Sequence, residues 1–217
     1  MKFTDKPLIY FIMGSENTGN RHPLTVLEEA LSGGISYFQL REKGDFALTG
    51  HELEKFAGEC QRLCGVYGVP FIVNDNVELA CKIGADGVHI GQEDEDASAV
   101  RRKMGNEKIL GISVHSVKEA ALAVSAGADY VGMGPVFSTS SKRDAKSPAG
   151  VAGILSVKDA YPQLPVIAIG GITPDNAKLV WSAGVEGVAV ISAIAGAEDA
   201  ALQVERLQNS FRRSDRQ

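Results

Sequence analysis

Residues 71–90 read FIVNDNVELACKIGADGVHI. Two short apolar runs, Phe71–Asn74 and Gly87–Ile90, bracket a helix-sized segment that closes on Gly-Ala-Asp-Gly. Parallel neighbours need a crossover of about a dozen residues, which is what this segment supplies. The runs are rich in β-branched residues with little polar alternation, as expected of strands covered on both faces. One strand–helix–strand unit is therefore written here.

The unit recurs on both sides. Strands are expected at Leu8–Met13, Tyr37–Arg41, Phe71–Asn74, Gly87–Ile90, Ile109–Val114, Tyr130–Pro135, Val166–Gly170 and Val188–Ile191. Between them, TGHELEKFAGECQRL (49–63) opens with Thr49 and Glu52 as a capping box and sets Leu53, Phe56, Ala57, Cys60 and Cys64 on one stripe. SVKEAALAVSAG (116–127) repeats the device with Ser116 and Glu119, a stripe of Val117, Ala120, Ala121 and Val124, and Gly127 as its stop. TPDNAKLVWSAG (173–184) offers Thr173 as cap and Pro174 as first helical residue. GADG (84–87), GADY (127–130) and GVEG (184–187) mark exits from helix to strand. Eight strands alternating with eight helices predict a single (β/α)8 TIM barrel over residues 1–217, with a frayed polar tail from about 210. No G-x-G-x-x-G follows the first strand, which argues against a dinucleotide-binding sheet. Chemistry is then expected at the C-terminal strand ends.

A net charge of −5 argues against nucleic acid as partner, so phosphates would need a local basic cluster. The apolar run Leu8–Met13 is too short to span a membrane and reads as a strand. Three cysteines give no disulfide framework and suit a reducing, cytoplasmic setting. Cys60 and Cys64 read as small core residues. No helix face demands an interface, so the oligomeric state stays open.

In YFQLREK (37–43), Leu40 suits the helix-facing side, which turns Gln39 and Arg41 into the barrel, with Lys43 beyond them. A buried Arg needs an anion, either an internal carboxylate or a phosphate-bearing ligand. Asp75 begins DNVE, itself a capping-box pattern, and Asp96 can cap a helix starting near Ala97. Asp75 and Asp94 also follow neighbouring strands, where they could share Mg²⁺ with a substrate diphosphate. Both readings stand at this point. The long loop after the sixth strand carries Thr139, Ser140, Ser141 and Lys142 and reads as a lid over ligand. Gly170 and Gly171 follow the seventh strand, where this fold often binds a phosphate. His89 is either a core histidine or a site residue; His115 reads as structural, and His22 and His51 as peripheral. No nucleophilic triad stands out.

YFQLREK, FIVNDNVELA, GADGVHIGQED, ILGISVHS, GADYVGMGPVFSTSSKRD, VIAIGGITPDN and GVAVISAI, in that order and spacing, resemble thiamine phosphate synthases from about Tyr10 to Ala195. The resemblance implies a Mg²⁺-dependent transferase that joins hydroxymethylpyrimidine diphosphate to a thiazole phosphate (or its carboxylate) and releases pyrophosphate. It implies that Gln39, Leu40, Arg41, Glu42, Lys43, Asn74, Ser113 and Lys142 hold the pyrimidine diphosphate, with Arg41, Lys43, Ser113 and Lys142 acting in catalysis. It further implies Asp75 and Asp94 on the metal, and Thr139, Ser140, Ser141, Gly170, Gly171, Ile191 and Ser192 on the thiazole phosphate. The chain departs from the family's Pro-Thr-x-Thr loop at Ser138 and Ser141, although both hydroxyls of the pattern survive. A related thiazole tautomerase typically carries histidine where Pro135 stands and lacks the paired aspartates. Two rival readings use the same residues differently. One is a Schiff-base aldolase with Lys43 or Lys142 as its amine, and the second is a sensor that binds thiamine precursors without turnover.

Overall fold

The computed structural model describes residues 7–139, 141 and 147–212. Eight parallel strands close into a barrel in sequence order: β1 (Leu8–Met13), β2 (Tyr37–Leu40), β3 (Phe71–Asn74), β4 (Gly87–Ile90), β5 (Ile109–Val114), β6 (Tyr130–Met133), β7 (Val166–Ile169) and β8 (Gly187–Val190). β8 returns to β1 with Leu8 beside Gly187. β2, β6, β7 and β8 stop one or two residues short of the expected ends, and β8 also begins one residue early, at Gly187. Arg41, Gly134, Pro135 and Gly170 therefore lie just past the barrel, at the mouth of a cavity they line.

The period-2 pattern partitions each strand. Tyr10, Ile12, Ile72, Tyr130, Ile167 and Ala189 form a cluster inside the barrel. Phe11, Phe38, Leu40, Val73, Val88 and Val131 face outward into a larger shell beneath the helices. That shell is covered by α1 (Pro23–Ser32), α2 (Gly50–Tyr67), α3 (Val77–Ile83), α4 (Ala97–Met104), α5 (Val117–Ser125), α6 (Gly150–Ala160), α7 (Ala177–Trp181), α8 (Ser192–Ala195) and α9 (Ala200–Arg212). The eight expected helices are thus nine among the described residues, because two follow β8; a 3-10 turn over Ser15–Thr18 also precedes α1.

Several local expectations need correction. Thr49 starts α2 without a side-chain cap, although the predicted stripe does enter the core. On α5 the buried face is Ala120 and Ala123, whereas Val117 and Val124 are exposed. Small residues let α5 lie close to β5, and the valines flank that contact. α7 begins at Ala177 rather than Pro174; the Thr173 carbonyl accepts from the N–H groups of Asn176 and Ala177, so a separate turn precedes the helix. The helix α9 continues past residue 210, with Ser210 buried against the Trp181 indole N–H at 2.9 Å and Phe211 edge-on to that ring. Residues 213–217 lie outside the described residues. Cys60 and Cys64 are buried and unpaired, and burial pushes both thiols up, Cys64 to about 12.

The bottom of the barrel explains the Gly-Ala-Asp signature. The Asp86 carboxylate accepts from Phe71 N–H, opening β3, at 2.8 Å. Asp129 accepts from Leu110 N–H in β5 at 2.8 Å, and Glu186 from Val166 N–H in β7 at 2.7 Å. Ser36 Oγ does the same for Ile9 in β1 at 3.2 Å. Each acceptor stands just before an even-numbered strand and satisfies the N–H of the odd-numbered strand preceding it. The end opposite the chemistry is sealed by this four-fold device. No helix among the described residues is long and apolar enough to cross a membrane.

Candidate active site

At the C-terminal strand ends lies a cavity of about 500 Å³. Arg41, Lys43, Asn74, Asp75 and Asp94 line one side, beyond β2, β3 and β4. Thr139, Ser141, Gly170, Gly171, Ile191 and Ser192 line the side beyond β6, β7 and β8. Because strand order is sequential, β3 and β4 stand across the barrel from β7 and β8.

The acids settle the capping question. The cap of α3 is Asn76, whose Oδ1 accepts from Leu79 N–H at 2.9 Å, and the cap of α4 is Asp96, which accepts from Ala99 N–H at 2.9 Å. Neither Asp75 nor Asp94 caps a helix. Asp75 sits at φ 60°, a left-handed conformation that swings its carboxyl toward the mouth, where it pairs with the Lys43 ammonium. Asp94 folds back to accept from Gly91 N–H at 2.7 Å. Burial pushes the Asp75 carboxyl above the usual range, and neighbouring Asp94 raises it further, against the pull of Lys43. For Asp94, burial is outweighed by the hydrogen bond from Asp75, the Gly91 N–H and the Lys43 charge, so its carboxyl is lowered. The two acids share one electrostatic neighbourhood, so charging either costs more once the other is charged, and Lys43 offsets part of that cost. Two oxygen-bearing acids held this close, open to a cavity, are a donor set that a hard divalent cation fits. Among the described residues no group of three or more His, Cys, Asp or Glu side chains is placed to hold a metal. Mg²⁺ commonly needs only one or two carboxylates with water and phosphate.

On the far side, glycine is required. Gly170 (φ 103°) and Gly171 (φ 64°) leave no room for a side chain: a Cβ at Gly170 would come 2.4 Å from Pro135 Cβ, and one at Gly171 2.5 Å from the Ser138 carbonyl. Phe137 N–H donates to the Gly170 carbonyl at 3.0 Å, and Ala149 N–H to the Pro135 carbonyl at 2.9 Å, which pinches the base of the long loop. Ser141 Oγ reaches Ser192 Oγ at 3.2 Å. Ser140 and Lys142 lie outside the described residues.

Three of the expected site residues do not reach the main cavity. Leu40 is buried in the outer shell, because the alternation that turns Gln39 inward turns Leu40 outward. The Glu42 carboxylate is occupied elsewhere, accepting from Ser15 N–H at 2.8 Å, Leu48 N–H at 3.0 Å and the Ser15 hydroxyl. Gln39 is buried one layer lower, in a narrow cleft beneath the main cavity. His115, read as structural, lines the cavity while its Nδ1 stands 3.0 Å from Glu119. Sequence reasoning misses Gln92, which also lines the cavity and donates to the Ser113 carbonyl at 2.7 Å. Its position in the strand-end loop was the available signal.

Comparison with known proteins agrees with this geometry. The family described as Thiamine monophosphate synthase matches residues 9–194. The chain belongs to that family. It is 55% identical over 191 residues to the thiamine-phosphate synthase of Lysinibacillus sphaericus strain C3-41, covering 88% of this chain and 89% of that one. It is 58% identical over 189 residues to that of Geobacillus kaustophilus strain HTA426, covering 87% and 85%. Among solved structures, the thiamine phosphate pyrophosphorylase of Pyrococcus furiosus superposes with a TM-score of 0.84 at 34% identity, covering 95% of this chain and 96% of that one. Family membership thus spans both sides of the cavity.

Proposed function

We propose that this cavity joins hydroxymethylpyrimidine diphosphate to a thiazole phosphate, giving thiamine phosphate and pyrophosphate. The observation that carries the reading is one cavity with two unlike anion sites in a chain of this family. One site is cationic and acid-bearing; the other is built of glycine backbone and hydroxyls. Arg41 and Lys43 suit the diphosphate, the former as a fork and the latter as a point charge. Asn74 and Ser113 complete that side, with Lys142 assigned to it by the family resemblance. Thr139, Ser140, Ser141, Gly170, Gly171, Ile191 and Ser192 suit the thiazole phosphate. Asp75 and Asp94 would hold Mg²⁺. Bound there, Mg²⁺ supplies Lewis-acid stabilisation of the negative charge that grows on the leaving pyrophosphate.

The chemistry needs no protein nucleophile. The bond from the pyrimidine methylene carbon to the diphosphate oxygen breaks, and its electron pair leaves with pyrophosphate. The thiazole nitrogen lone pair then captures the methylene cation. Arg41, Lys43 and Lys142 stabilise the departing charge, and the long loop keeps water from the cation. Three cysteines without a disulfide framework suit a reducing cytoplasm. The test is product formation from the two substrates with Mg²⁺ and again with EDTA. Thiamine phosphate appearing only with Mg²⁺ is the expected result. Unchanged turnover in EDTA would remove the acids from the metal, and binding without turnover would make the protein a sensor.

A further inference from the structure

Beneath the cavity, polar side chains from separate strands form a continuous chain inside an otherwise apolar barrel. Gln39 Nε2 donates to Tyr10 Oη at 3.1 Å, and Tyr10 Oη lies 2.7 Å from Tyr130 Oη. Tyr130 Oη lies 2.9 Å from His89 Nδ1, and His89 Nε2 lies 2.9 Å from Ser113 Oγ, which lines the cavity above. Neighbouring backbone is cut away to admit it. A Cβ on Gly111 would come 2.2 Å from the Tyr130 ring and 2.5 Å from His89 Nδ1, and one on Gly132 3.0 Å from His89 Cε1.

The protons along this chain have a definite sense. Gln39 presents its amide nitrogen, a donor, to Tyr10 Oη, which accepts from it, whereas the amide oxygen in that place would reverse the sense of the chain. Burial raises both tyrosines well above their ordinary value, so each phenol keeps its proton. If Tyr10 donates to Tyr130, Tyr130 donates to His89 Nδ1 and every buried proton has an acceptor. The reverse sense, with Nδ1–H donating to Tyr130 and Tyr130 to Tyr10, leaves the Tyr10 proton without an acceptor among the described residues. The first sense leaves the imidazole proton on Nε2, donating to Ser113 Oγ. That oxygen's lone pair is then engaged, and the Ser113 proton is directed into the cavity.

We propose that Gln39, Tyr10 and Tyr130 lock His89 in its Nε2–H tautomer, and that His89 thereby orients the Ser113 hydroxyl as a one-way donor to an anionic substrate oxygen. Tyr10, Tyr130 and His89 are positioning residues acting through Ser113. The device also discriminates, since a hydroxyl committed to donating rejects ligands that present a donor at that point. The role of Ser113 as a substrate contact rests on the function proposed above; the tautomer does not.

Two measurements decide it. The first is nitrogen NMR of histidine-labelled wild-type protein without substrates at about pH 8, where an ordinary histidine is neutral, with the His89 signals assigned by their loss in His89→Gln. Pyrrole-type Nε2 and pyridine-type Nδ1 are expected; a protonated Nδ1 overturns the lock. This reading needs neither activity nor a variant that folds perfectly. The second is a double-mutant cycle on kcat with Tyr130→Phe, which keeps the ring and removes the hydroxyl, and Ser113→Ala. Tyr130→Phe is expected to lower kcat roughly tenfold in the wild-type background, the scale of one hydrogen bond to a charged group, and to change it little when Ser113 is absent. Equal losses in both backgrounds would show a merely structural role and overturn the positioning claim. Failure of synthase activity altogether would refute the proposed function while leaving the NMR result to decide the tautomer.

Discussion

At Asp75 a left-handed backbone and a carboxyl raised by burial and by Asp94 occur in the same residue. A carboxyl whose folded value lies above its unfolded one binds its proton more tightly when folded. Stability from this group is therefore greatest below the ordinary carboxylate range and falls as pH rises through the raised value. At neutral pH and without metal, ionised Asp75 costs the fold stability. Asparagine tolerates the same φ and carries no charge. Asp75→Asn should therefore raise the thermal midpoint in EDTA at neutral pH, and the gain should vanish on acidification below the ordinary carboxylate value of about 3.9. Thermal melts across that pH range check it, and a lower midpoint at neutral pH would refute it. Asp94 differs, since its carboxyl is lowered and half its work is holding Gly91 N–H in an exposed loop. Water can take over that hydrogen bond. Asp94→Ala is expected to cut turnover at least about a hundredfold, on the scale of lost electrostatic stabilisation, with the barrel still folded and a small loss of thermal midpoint at neutral pH, since a lowered carboxyl contributes stability there. Near-normal kinetics would return Asp94 to a loop-organising role alone.

At the scale of elements, the strand bottoms offer a separate test. Asp129 serves Leu110 N–H and also pairs with Arg101, whose guanidinium spans the carbonyls of Gly105, Lys108 and Gly127. Asp129→Ala leaves a strand N–H unserved and should destabilise by about 1–3 kcal/mol, read as a lower urea midpoint with turnover per folded molecule unchanged. These acids were visible in the sequence as helix exits, but not as strand caps, because each one's partner opens the preceding strand, far back in the chain. The strands themselves were legible because both faces are buried, which writes them as short continuous apolar runs rich in β-branched residues. α5 was misread because its close packing selects alanine, and valines at helical spacing suggested a buried stripe where they lie exposed. Strand-end residues were legible because a barrel fixes where its mouth lies. The Gln39–Tyr10–Tyr130–His89–Ser113 chain was not, since it joins residues from β1, β2, β4, β5 and β6 whose meeting depends on barrel closure. Alone, each tyrosine reads as an ordinary core aromatic.

Across the whole molecule, the open cavity lies at one end of the strands and the side chains that cap the strand N–H groups lie at the other. Gly170, Gly171 and Asp75 adopt positive φ at the mouth, and Lys43, Asp75 and Asp94 crowd there. Asp86, Asp129, Glu186 and Ser36 serve the opposite rim. Strands of four to six residues separate the two rims, a distance of roughly 13–20 Å at the usual rise. That exceeds the range over which substitutions without shared partners couple, and each strand N–H that a cap serves is held locally rather than through the cavity. The barrel should therefore keep its two tasks independent. Combining Asp94→Ala with Asp129→Ala is expected to lower the urea midpoint by the sum of the two single shifts and to show the turnover of Asp94→Ala, each within experimental scatter. Parallel denaturation and steady-state kinetics on the four proteins, wild type included, measure both quantities. A double variant that loses more turnover per folded molecule than Asp94→Ala alone would mean that loosening the β5 entrance reaches Ser113 at the far end of the same strand, and the two rims would then have to be treated as one cooperative unit.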